Sequence, residues 1–114
     1  MESEARKNFF YDDFSDRLMI TCKKPEDNIL GSFRILNVTL DITSDNRIVT
    51  AEIRGVSEYL SELNINPSIL NNLKDAQLLV RKYNNGYMIY FILQTIQGVV
   101  EKIPFNIPTE KVIA

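Results

Sequence analysis

AQLLVRKYNNGYMIYFILQT, residues 76–95, is the stretch whose reading decides the fold. Two β-prone runs, Ala76 to Tyr83 and Tyr87 to Thr95, flank Asn84-Asn85-Gly86. Asn and Gly reach positive φ at low cost, so Asn-Gly between such runs predicts a tight β-hairpin. Tyr87 to Leu93 is apolar at both parities, which predicts a central strand covered on both faces. Downstream, Gln97-Gly98 reads as a second turn and Val99 to Ile103 as a third strand. Pro104 and Pro108, which cannot donate to a ladder, put the tail on an edge or outside the sheet.

Upstream the period changes. Val56, Tyr59, Leu60 and Leu63 stand at i, i+3, i+4 and i+7, one face of a helix with Ser57 placed to cap it. Asn66 as cap and Pro67 in the first turn start a second short helix with Ile69, Leu70 and Leu73 on its apolar face. Before Gly55, Ile48 to Arg54 alternates, with Val49, Ala51 and Ile53 inward, and Ser44-Asp45-Asn46-Arg47 supplies the turn ahead of it. From Phe33 to Thr43 the alternation slips phase, which predicts a bulge or bend near Leu36-Asn37 within one continuous strand. Lys24 to Ser32 reads as loop. Arg17 to Lys23 alternates, placing Leu18, Ile20 and Cys22 on one face, and Phe9-Phe10-Tyr11 forms a strand before the turn Asp12-Asp13-Phe14-Ser15-Asp16. The order is ββββ-αα-βββ. It predicts an α+β fold, predominantly antiparallel sheet, with two meanders bridged by the helical layer of residues 56–73. A β-sandwich or partly closed barrel is the alternative.

The chain has 114 residues, 45% hydrophobic, with 13 basic and 15 acidic side chains, no His and one Cys. That size suits a single domain, residues 1–114. Without His there is no Ser-His or Cys-His pair and no His-ligated zinc, and one Cys builds no disulfide and no metal cluster. A net charge of −2 with interspersed signs gives no pull toward nucleic acid or anionic membrane. No apolar run approaches the roughly 20 residues of a spanning helix, and the charged opening Met1 to Lys7 is unlike a signal peptide. An unpaired cysteine fits a cytoplasmic location.

Phe9-x-Tyr11-Asp12-x-x-x-Asp16-x-Leu18-x-Ile20 precedes Asp41-x-x-x-Asp45-Asn46-x-Ile48-Val49-x-x-Glu52-Ile53-x-x-x-Ser57. This resembles a small prokaryotic family of uncharacterised function whose members open with such a hairpin, then an acidic turn and an Ile-Glu-Ile strand. The match covers residues 9–60, leaving 61–114 as a helix and β-meander extension. Met19 replaces a frequent aromatic and Asn46 a usual Gly. The resemblance implies a compact β-rich unit, and an antitoxin-like role as partner of a small toxin.

Asp12, Asp13 and Asp16 spell a magnesium-diphosphate pattern, but that pattern works from a helix, and here it joins two strands. Asp12 and Asp16 are therefore read as acceptors for turn amides, with a hard-cation site as the alternative. Asp41, Asp45, Glu52 and Glu58 are read as solvated carboxylates rather than an acid–base pair. Cys22 is read as an inert core thiol. Arg81, Lys82, Tyr83, Tyr87 and Tyr90 interleave basic and aromatic residues on the decisive hairpin, the pattern of an interaction surface. No phosphate loop or cofactor motif occurs, so no enzyme and no cofactor is expected. The expected function is a non-catalytic, cytoplasmic protein–protein interaction domain that self-associates as a homo-oligomer. A nucleic-acid or small-molecule binding module using the Arg81–Tyr90 hairpin is the alternative.

Overall fold

Apolar residues at every second position build the first sheet. Leu18 and Ile20, Val38 and Leu40, and Ala51 and Ile53 are all buried on one face, while Met19, Thr39 and Glu52 point away from it. The computed structural model describes residues 8–108. Its strands are β1 (Phe9–Asp12), β2 (Arg17–Thr21), β3 (Ile29–Ile35), β4 (Val38–Thr43) and β5 (Ile48–Arg54). After α1 (Val56–Glu62) and a 3-10 helix (Pro67–Asn72) come β6 (Leu73–Tyr83), β7 (Gly86–Thr95) and β8 (Val100–Pro108). All neighbours are antiparallel, in the orders β1-β2-β5-β4-β3 and β6-β7-β8. The two sheets share one core, in which Leu18, Ile20 and Leu40 join Ile89, Phe91 and Phe105, and they do not close into a barrel. The α+β, mainly antiparallel fold is as expected.

One strand was hidden in the expected loop. Ile29–Ile35 pairs with β4, and Leu36-Asn37 is the turn between them rather than a bulge. Leu36 adopts φ 57°, a conformation that its side chain disfavours and that leaves no turn signature. Asn37 secures the turn: its carbonyl accepts from the Arg54 N–H at 2.8 Å, and its amide donates back to the Arg54 carbonyl at 3.0 Å. Because β5 lies beside β2, the segment 22–28 must cross the end of the sheet. Asp27 fixes it there, accepting from the Lys24 N–H at 2.8 Å and from the Arg47 guanidinium.

The helical layer follows the sequence closely at its second segment, where Asn66 accepts from the Ser68 N–H at 3.0 Å and Pro67 opens the helix. At α1 the cap differs. Ser57 lies inside the helix, Gly55 is the cap residue at φ 62°, and the capping oxygens come from Asp16. A second correction concerns β7. Tyr87, Ile89, Phe91 and Leu93 are buried, but Met88, Tyr90 and Ile92 on the other face are only partly covered. Pro104 and the strand end Pro108 do fall on an edge strand, as their missing N–H requires.

Candidate functional site

The acidic turn is structural. Asp12 accepts from the Phe14 N–H at 3.1 Å and the Ser15 hydroxyl at 2.8 Å, and these bonds hold its carboxyl below the usual carboxylate range. Asp16, held at φ 57°, reaches across the fold instead. It takes the Tyr11 hydroxyl at 3.0 Å, the Ser57 N–H at 3.2 Å and the Ser57 hydroxyl at 2.8 Å. The two carboxylates thus serve N–H and O–H groups. Among the described residues, no group of three or more His, Cys, Asp or Glu is placed to hold a metal ion.

Cys22 is not in the core. It is exposed just past β2, where it lines a cleft of about 300 Å³ with Arg47, Val49, Leu78, Val80 and Lys82. Packing on the cleft side pushes its thiol pKa up, against the opposing pull of Arg47. Arg47 itself is engaged by Asp27 and, at 3.1 Å, by Asp45. These contacts hold both carboxyls below their usual range, Asp27 first through the Lys24 amide and Asp45 first through the Thr43 hydroxyl.

The basic–aromatic cluster on the β6–β7 hairpin divides between two faces. Adjacent strand residues point to opposite sides, so Lys82 and Tyr87 share the inner face while Arg81, Tyr83 and Tyr90 share the outer one. Tyr87 is buried, its hydroxyl donating to the Asn46 carbonyl at 3.3 Å, which ties the hairpin to the β4–β5 turn. The Lys82 ammonium lies 5.9 Å from its ring. On the outer face, Tyr90 carries the Lys102 ammonium at 4.6 Å from its ring centre. Lys102 comes from β8, a non-local neighbour that hairpin reasoning did not include.

Around Tyr90 the outer face is apolar. Leu79 pairs with it across β6, Pro104 across β8, and Met88 and Ile92 flank it along β7. The matching face of the five-stranded sheet is mostly polar, with Arg17, Thr39, Asp41, Thr50 and Glu52 projecting there, and its exposed apolar residues Phe10 and Met19 pair at the β1 edge. In the middle of β6, Leu79 is 36% exposed on the outer face of the three-stranded sheet, and Leu78 and Val80 are half-buried over the cleft.

Set against protein-family models, curated proteins and solved structures, the chain matches none of them. Among the described residues, no helix is long and apolar enough to cross a membrane.

Proposed function

We propose that this chain is a non-catalytic protein–protein interaction domain that associates with itself through the β6–β8 sheet. The observation that carries the reading is the consecutive apolar triplet Leu78-Leu79-Val80, part-exposed on both faces of an edge strand. In a single copy the inner face of that strand packs on the shared core, but its outer edge is laddered to no second strand among the described residues, and pairing is the ordinary fate of such an edge. Arg81, Tyr83, Tyr90 and Lys102 share the outer face with Leu79, Met88 and Ile92, and those apolar neighbours, together with a net charge of −2, favour a protein contact over a nucleic-acid platform. The likeness of residues 9–60 to a prokaryotic family belongs to the proposal as a sequence pattern. Its antitoxin-like implication describes the same class of work, binding another protein. The unpaired Cys22 fits a reducing, cytoplasmic setting.

Sedimentation equilibrium of the full chain is expected to show a reversible dimer in the micromolar range. A monomer persisting to high micromolar concentration would overturn the reading.

A further inference from the structure

The four edges of the two sheets are not alike. β1 has 4 residues. β3 is irregular between Ile29 and Gly31. β8 carries Pro104 in its middle and ends at Pro108. Each is blunted in a way that edge strands commonly use against pairing: shortness, a bulge, or proline. β6 shares only the bulge, and only at its first residues. It runs 11 residues without Pro or Gly, and its only irregularity is at its start, between Leu73 and Asp75. Among the described residues, the backbone from Asp75 to Lys82 is laddered to β7 alone. Among the described residues β6 is the longest of the four edges, and from Asp75 onward it carries neither proline nor a bulge.

Resting on the self-association proposed above, we infer that a second copy adds its β6 to this edge, antiparallel across a two-fold axis at Leu78. The two three-stranded sheets then merge into one sheet of six strands. The occupant is a second copy of this chain because β6 is complementary to itself. Directly opposed residues in an antiparallel pair share a face, so a two-fold pairing can be centred only on a residue, not between two. Leu78 is the midpoint of Leu73–Tyr83, so this register pairs the whole strand. It sets Leu78 against its own copy, Ala76 against Val80, and Gln77 against Leu79. It also sets Asp75 against Arg81 of the second copy twice, both on the outer face.

Moving the axis to Gln77 or Leu79 loses both Asp75–Arg81 pairs. Arg81 makes no ion pair among the described residues, and the Asp75 carboxylate accepts only from the Gln77 amide at 3.0 Å, so both are available. Lys74 and Lys82 oppose each other at the two ends, where both are exposed and the added ladder frays. Joined in this way, the two outer faces become one platform with Leu79, Tyr90 and Lys102 repeated across the axis.

Charge reversal tests the register. Asp75→Arg and Arg81→Asp, each made in the full chain, replace two attractive cross-strand pairs by two repulsive ones. Each is expected to raise the dimer Kd by about tenfold or more, and the double variant Asp75→Arg/Arg81→Asp to return it to within about threefold of the parent. Thermal melts of the three variants establish that all are folded. If the parent dimerises and the single variants leave Kd unchanged, the register falls while self-association stands. If both single variants weaken it and the double variant stays weak, the Asp75–Arg81 pairing is wrong. A parent that never dimerises removes both proposals.

Discussion

Replacing Asp16 by alanine is expected to cost about 2–4 kcal/mol of stability, a large share of the roughly 5–15 kcal/mol that domains of this size possess. Three losses combine. The first turn of α1 loses the acceptor for the Ser57 N–H. The Tyr11 hydroxyl loses its partner. A residue at φ 57° loses the side chain type that tolerates that conformation. Asp16→Asn keeps an acceptor oxygen and the tolerance of positive φ, so it should cost clearly less. Chemical denaturation measures both, and a loss for Asp16→Ala of only about 0.5 kcal/mol, typical of an open surface, would contradict the assignment.

The same substitution has a signature at alkaline pH. Burial first, then the hydrogen bond to Asp16, raises the Tyr11 pKa to about 12. A phenol with a folded pKa above its unfolded value near 10 stabilises the fold in its neutral form. That contribution is complete below about pH 10 and is lost as pH rises toward 12, because only the unfolded chain releases the proton in that window. Asp16→Ala should shrink this alkaline decline, leaving the part due to burial. Tyr11→Phe should remove the share of Tyr11 altogether, while Tyr59, raised by burial alone, keeps its own.

Phe91→Ala is expected to be the most damaging single truncation, about 3–5 kcal/mol. Phe91 is fully buried at the centre of β7, with its ring 5.8 Å from that of Phe105. The core it fills is shared by both sheets, so tyrosine fluorescence and far-UV circular dichroism should lose their native signals in one transition. The next residue supplies the control. Ile92 points to the outer face, and Ile92→Ala should cost about 1 kcal/mol or less in a dilute sample. Equal losses at the two positions would mean that the outer face is as covered as the core.

Local chemistry made much of this fold legible. Asn85-Gly86 announces its hairpin, Asn66-Pro67 its helix start, and the alternation of β5 its buried face, because each signal acts within a few residues. The misreadings were tertiary. Asp16 caps a helix 41 residues away, and no local pattern encodes a bond of that range. At Leu36-Asn37 the positive φ falls on Leu36 rather than on the Asn, so two strands resemble one with a slip. Gly31 and Ser32 made β3 resemble a loop, although β4 beside it supplies the ladder that they do not signal. Cys22 continues the alternation of Leu18 and Ile20, but β2 ends at Thr21 and the chain leaves the core there. The apolar run of β7 predicted two covered faces, since composition cannot say how many layers a small domain has.

The proposed interaction surface was half legible. Period-two alternation separates Arg81 from Lys82 and Tyr87 from Tyr90 on sight, whereas Lys102 joins Tyr90 only through the third strand. Asp75 and Arg81 lie equally far from Leu78, a symmetry that gains meaning once β6 is known to be an edge.

Backbone amide hydrogen exchange across residues 76–82, followed as the protein is diluted from high to low micromolar concentration, tests self-association at β6 most directly. Exchange there should be slow at high concentration and quicken on dilution, while the β4–β5 ladder stays unchanged throughout. Rates at β6 that do not depend on concentration would contradict the account.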